Sequence, residues 1–180
     1  MSSMWTTMDS PVGELRIVAN QRAITAIDFD GSPEGASSRS STVRAAAVSA
    51  GRPLGDRDDA HPLLAEAVRQ LRAYFARELK EFDLPLDPDG TPFQRRVWDE
   101  LVKIGYGETA SYGQIARALG MTAAASRAVG LANGRNPIPI VVPCHRVVGA
   151  DGSLAGYAGG LPRKRQLLDL ESRARGSRLF

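Results

Sequence analysis

Apolar positions recur at every second residue over the first thirty residues. Trp5-Thr6-Thr7-Met8 reads as a strand, Asp9-Ser10-Pro11-Val12-Gly13 as turn chemistry, and Leu15, Ile17 and Ala19 alternate with Glu14, Arg16 and Val18. Ile24, Ala26 and Asp28 resume the alternation after a short break. This pattern predicts β-hairpins and a small antiparallel sheet. From Pro62 the spacing changes to three and four. Leu63, Leu64, Ala67, Val68, Leu71, Tyr74, Phe75 and Leu79 predict a helix with Pro62 at its first position and one face on the sheet.

Between these segments, residues 31–60 are small, polar and rich in Gly, Pro and charge, which predicts a long mobile loop. The stretch from Glu81 to Gly90, with Pro85 and Pro88, marks a boundary. Beyond it the pattern is helical. Thr91 and Gln94 form a capping box with Pro92 at the first helical position, and Phe93, Val97, Trp98, Leu101 and Val102 make a buried stripe. Gly105-Tyr106-Gly107 ends that helix. Ser111 and Gln114 form a second capping box, Ile115 and Leu119 face inward, and Gly120 stops the helix. A third helix is expected from about Thr122 to Asn133, with Gly134 as its stop. Two short helices a few residues apart read as a helix-turn-helix, a pattern that many bundles unrelated to DNA also contain. Ile138-Pro139-Ile140-Val141-Val142 is a core segment, Gly149 to Gly152 a turn, Gly156 to Gly160 a flexible loop holding Tyr157, and Pro162 opens a last helix.

The expected organisation is therefore α+β: an N-terminal domain over residues 1–85, a helical domain over 91–172 and a basic tail over 173–180. With 43% hydrophobic residues in 180, the chain can bury a core without staples. The net charge of +3 conceals an asymmetry. Residues 1–90 carry −4, residues 91–172 carry +4 and the tail carries +3, so a polyanionic partner is expected on the second half. No apolar run reaches the roughly 20 residues a bilayer span needs, and the N-terminus lacks the charged and apolar regions of a secretory signal. The expected setting is a reducing cytoplasm, with no membrane partner.

One hexapeptide stands apart: Pro143-Cys144-His145-Arg146-Val147-Val148, at the end of the apolar segment. Cys144 is the sole cysteine and His145 is one of two histidines. A thiol beside an imidazole where water is scarce suits an activated nucleophile; a small buried hydrophobe is the commoner fate of a lone cysteine. Glu171 is the best carboxylate to orient His145, although its helical spacing alone favours a solvent-facing residue. The third helix, Ala123-Ala124-Ala125-Ser126-Arg127-Ala128, offers small side chains and one arginine rather than the forks that read base edges. Such a helix could approach a minor groove closely or be buried by its alanines.

Taken together, these residues resemble the O6-alkylguanine-DNA alkyltransferases. The Pro143-to-Val147 signature is accompanied by Phe93…Val97-Trp98, Gly107-Glu108…Ser111-Tyr112-Gly113, Arg127-Ala128-Val129-Gly130, Gly134-Arg135-Asn136-Pro137 and Gly156-Tyr157-Ala158-Gly159-Gly160. The similarity is dense over 91–171 and thinner over 1–90. It implies an N-terminal ribonuclease H-like antiparallel sheet with a helix, and a C-terminal helix-turn-helix domain carrying the nucleophile. It also implies a single irreversible transfer of the alkyl group of O6-alkylguanine, and of O4-alkylthymine, from DNA to Cys144, the base being flipped out of the duplex. By resemblance His145 takes the thiol proton through a water, Glu171 holds the imidazole and Asn136 stiffens the turn before the cysteine. Tyr112, Val147, Tyr157, Ala158 and Lys164 would meet the base. Gln94, Tyr112, Gly113, Arg127, Arg135 and Ala150 would meet DNA, with Arg127 filling the vacated stack. The implied partner is double-stranded DNA bound through its minor groove with little sequence specificity, by a monomer that can cluster along it. No cofactor is implied, and the zinc ligands of some relatives are missing here, so no metal is expected. Gly120 to Arg127 holds one residue more than the family pattern, with Met121-Thr122-Ala123 in place of its proline. Two other classes share the Cys-His-Glu constellation or the helical pair: a cysteine hydrolase, which would turn over, and a lesion-binding protein without chemistry.

Overall fold

The computed structural model describes residues 3–30, 55–154, 156–157 and 159–176. Most of the expected loop (residues 31–54), Ala158 and the end of the basic tail (177–180) lie outside the described residues. The chain divides into two compact units, Met1–Pro88 and Asp89–Phe180.

The first unit is a sheet with one helix on it. Strands β1 (Met4–Met8), β2 (Glu14–Ala19), β3 (Ile24–Asp30) and β4 (Asp56–Arg57) lie in the order β3-β2-β1-β4. The hairpins are antiparallel, from Met4↔Ala19 to Met8↔Leu15 and from Glu14↔Asp30 to Ala19↔Ile24. The short β4 adds a parallel edge that the sequence pattern did not announce. Leu15, Ile17 and Ala19 are buried as expected. On β3 the inner residues are Ile24, Ile27 and Phe29, not Ile24, Ala26 and Asp28. A bulge between Val18 and Ala19 shifts the register there, and with a side-chain period of two one extra residue exchanges the faces. Asp28 turns to the other face and pairs with Arg16 at 3.4 Å.

Helix α1 (Pro62–Phe75) covers the sheet with Leu64, Ala67, Leu71 and Tyr74. His61 caps it: the Leu63 N–H donates to His61 Nδ1 at 3.2 Å. The helix is shorter than the apolar pattern suggested. Arg77 adopts φ 63, so Leu79 lies beyond its end.

The second unit opens with α2 (Pro92–Leu101), whose Thr91/Gln94 capping box is formed on both sides. Val97, Trp98 and Leu101 are buried, but Val102 is 51% exposed because the helix stops one residue before it. A two-residue strand β5 (Ala110–Ser111) leads into α3 (Tyr112–Ala118), capped by the Ser111/Gln114 box. Gly120 takes φ 77 at the end of that helix. The third helix does not begin at Thr122. Ala123–Ala125 form a 3-10 turn, Thr122 makes no capping bond, and α4 runs Ser126–Gly134. Alanines offer no capping oxygen, and the Ser126 hydroxyl closes the tighter turn on the Ala123 carbonyl at 2.6 Å. A second 3-10 turn, Cys144–Arg146, leads into β6 (Val147–Val148), and α5 (Leu161–Gly176) completes the unit. β5 and β6 pair in parallel through Ala110↔Val147 and Ser111↔Val148.

Candidate active site

The approach to Cys144 is a buried, over-determined loop. Ile138, Ile140, Val141 and Val142 are all buried, as their run of apolar residues requires. Ile140 sits at φ 74, a region that β-branched residues rarely occupy. Asn136 holds the loop against that strain. Its Nδ2 donates to the Val142 carbonyl at 2.8 Å, and its Oδ1 accepts from the Ile138 N–H at 3.0 Å. The Cys144 N–H donates to the Val142 carbonyl at 2.8 Å, and Asn133 Nδ2 reaches the Cys144 carbonyl at 3.4 Å.

Cys144 itself is 3% exposed. Burial pushes its thiol up to about 11, against a hydrogen bond from Asn136 and the charge of Lys164, which both favour the thiolate. Lys164, on α5, is fully buried and donates to the Val147 carbonyl at 2.6 Å. Burial lowers its pKa, and the neighbouring sulfur opposes that. Tyr112 and Tyr157 are raised by burial and, to a lesser degree, by the charge the same sulfur would carry. Gly130 lies against the Tyr112 ring, where a Cβ would make ordinary contact at 3.6 Å.

Behind the cysteine lies an ionic corner. His145 is fully buried, with Nε2 2.7 Å from Glu171 Oε2, while its Nδ1 is buried and bonds no protein atom. Glu171 is 1% exposed, the opposite of what its spacing alone suggests. It also accepts from Arg146 Nε (2.8 Å), Arg146 Nη2 (3.1 Å) and the Gly107 N–H (3.2 Å). Burial would raise the carboxyl, but the hydrogen bonds and charges of His145 and Arg146 outweigh it and hold the group down at about 2. Burial lowers His145; Glu171 pulls it back up, and Arg146 and Lys164 push it down again. With Glu171 ionised, Nε2 carries the proton and Nδ1 carries the lone pair.

The remaining named residues divide. Arg127 and Arg135 are exposed, at the start and the cap of α4. Ala123, Ala124 and Ala128 are exposed as well, so the alanines do not bury this helix; Val129, Ala132 and Asn133 do. Gly113 lies in the first turn of α3, and Ala150 is exposed in the turn after β6. The Gln94 side-chain oxygen is engaged in its capping box. The partners of Arg146 and of the Trp98 indole, and the exposure of Leu131, are not visible in the sequence pattern. Arg146 was unassigned, although a charge inside a buried run must find a partner. The Trp98 indole N–H donates to the Ala132 carbonyl at 2.9 Å and fixes α4 to α2. Leu131, 64% exposed, stands one helical turn beyond Arg127 on the same side.

Residues 3–88 match the ribonuclease-like domain of 6-O-methylguanine DNA methyltransferase, and residues 92–173 match its DNA binding domain. A methylated-DNA–protein-cysteine methyltransferase of Mycobacterium tuberculosis is 66% identical over 105 residues, which cover 58% of this chain and 63% of that protein. The crystal structure of the O6-methylguanine methyltransferase of the same organism superposes with a TM-score of 0.77 at 46% identity, over 96% of this chain and 94% of that one. The M. tuberculosis protein in complex with DNA gives 0.77 at 45% identity, over 95% and 94%. The chain belongs to the 6-O-methylguanine DNA methyltransferase family.

Proposed function

We propose that this protein repairs DNA by moving the alkyl group of O6-alkylguanine onto its own Cys144. The observation that carries the reading is the buried Cys144 beside an imidazole whose Nε2 is committed to a carboxylate and whose Nδ1 is free to accept. The thiol proton passes to His145 Nδ1 through one water. Sulfur then attacks the alkyl carbon, an S–C bond forms and the C–O6 bond breaks. Its electron pair stays on guanine, which regains a proton, so the proton lost by sulfur ends on the base. Tyr112 and Lys164 deliver that proton, and the Cys144 and Val147 backbones read the base edge. Asn136 keeps the cysteine turn from relaxing, and Tyr157 meets the base.

The exposed face of α4 supports minor-groove binding of duplex DNA with little sequence specificity, since small side chains admit a backbone closely without reading bases. Arg127 fills the space left by the flipped base. Arg135, Gly113, Ala150 and the free amide nitrogen of Gln94 meet the phosphates. One protein molecule suffices for the chemistry. Because water does not hydrolyse a thioether at neutral pH, each molecule reacts once. Intact mass spectrometry after mixing with an O6-methylguanine duplex should show one added methyl on Cys144, in an amount equal to the protein. Turnover beyond one lesion per chain would overturn the reading and favour a hydrolase.

A further inference from the structure

Arg146 is a buried cation without a part in the chemistry above. It is 6% exposed and tethered on every side. Its Nε and Nη2 grip both oxygens of Glu171, its Nη1 donates to the Ile104 carbonyl at 2.6 Å, and its guanidinium lies 5.8 Å from the Tyr106 ring centre. With His145 and the Gly107 N–H added, both carboxylate oxygens are held by donors of three residues. A carboxylate alone beside a buried imidazole would draw a proton onto it and form an ion pair. Here a permanent cation already neutralises that carboxylate, so a second would leave the corner with uncompensated charge.

We infer that Arg146 is a positioning residue of the relay: by occupying both oxygens of Glu171 it keeps His145 neutral at rest, with Nε2–H fixed and Nδ1 the accepting nitrogen. The imidazolium formed when the thiol gives up its proton is then short-lived and passes that proton on. Burial also disfavours the imidazolium and Lys164 adds to it, but Arg146 is the cation that holds Glu171 as well. Lys164 donates to the Val147 carbonyl, on the cysteine's side, and Cys144, Tyr106, Tyr112 and Tyr157 are neutral when protonated. This inference rests on the relay reading of His145, but its test does not need DNA.

The chain contains two histidines, so ring-nitrogen NMR of the labelled protein gives two titrations, from His61 and His145. In the wild type His145 should titrate below the ordinary imidazole range. Arg146→Met should raise that midpoint by about one pH unit or more, because a like charge has been removed. Arg146→Lys should hold it near the wild-type value. The acid limb of the methyl-transfer rate should move with it: upward in Arg146→Met, unmoved in Arg146→Lys. A merely structural role would lower the rate at every pH and leave the limb where it was. Should Arg146→Met fail to fold, the neutral pair Arg146→Met/Glu171→Gln compared with Glu171→Gln reads the same charge. Equal His145 midpoints in either comparison would overturn the inference. Shifted midpoints in a protein that transfers no methyl group would instead overturn the proposed function and leave the role of Arg146 standing.

Discussion

The corner behind Cys144 and the outer face of α4 are built on opposite principles. In the corner each heteroatom of Glu171 and the guanidinium of Arg146 is bonded before any ligand arrives. On α4, Arg127, Ala128 and Leu131 face solvent. The first region spends its interactions on folding, so its geometry is fixed when chemistry begins. The second keeps its interactions for a partner and contributes little to the stability of the free protein. Changes in the corner should therefore alter reaction and fold together, whereas changes on α4 should alter DNA events and leave the fold intact.

The largest effect is expected at the thiol in front of the corner. Cys144→Ala should abolish methyl transfer completely while retaining duplex binding in a gel-shift or anisotropy titration. Residual transfer would place the acceptor elsewhere. Next comes Arg127→Ala on the other side of the comparison. Flipping a base costs a few kcal/mol, so losing the side chain that fills the gap should slow duplex repair by about a hundredfold. Reaction with free O6-methylguanine base should hardly change. An equal fall in both rates would make Arg127 a support of the fold and erase the contrast.

Acid stability sharpens the comparison further. Both corner groups have depressed values in the folded state, so the unfolded chain binds more protons and stability falls with falling pH. The His145 contribution is lost below its ordinary value of 6.5, and the Glu171 contribution over the window from 4.5 down to about 2. Urea midpoints should decline through those windows as the pH falls. Glu171→Gln should remove the lower one, while Arg127→Ala should track the wild type throughout. The smallest effect is expected for Leu131→Ala. An apolar contact to the sugar edges releases no counterions, so duplex affinity should weaken a few-fold with an unchanged salt slope. Arg135→Ala should reduce that slope by about one. A lowered melting temperature for Leu131→Ala would show it to be part of the core.

Much of this was legible in the chain because it rests on short-range rules. Both capping boxes, both hairpins and the buried run from Ile138 to Val142 follow from local spacing. What escaped depends on contacts far apart in sequence. The bulge opposite Val18/Ala19 changes which face of β3 is inside: Ile24 precedes it, and the alternation of Ile27 and Phe29 with Asp28 runs one residue out of step with Ile24. Glu171 looked like a surface residue because its partners, Arg146 and Gly107, are 25 and 64 residues away. The start of α4 was misplaced because alanines favour a helix without specifying how it begins. Arg146 could have been found by asking what neutralises a charge in the middle of a buried segment.

The two-residue ladder of β5 and β6 has a consequence for how such a chain can vary in length. Ser111 pairs with Val148, and Tyr112 begins α3 directly after it; on the other strand Val147 follows directly on the turn that holds Cys144. Neither side has slack between the ladder and the residue it sets. One residue inserted at 111/112 or 146/147 would displace the phenol or the thiol by a full residue's rise of about 3.3 Å. The Gly149–Ser153 turn, outside this bracket, has no such constraint. Length differences among functional variants should therefore collect in the turns beyond the ladder, and the spacing from Ala110 to Tyr112 and from Cys144 to Val148 should be inherited as a fixed gauge.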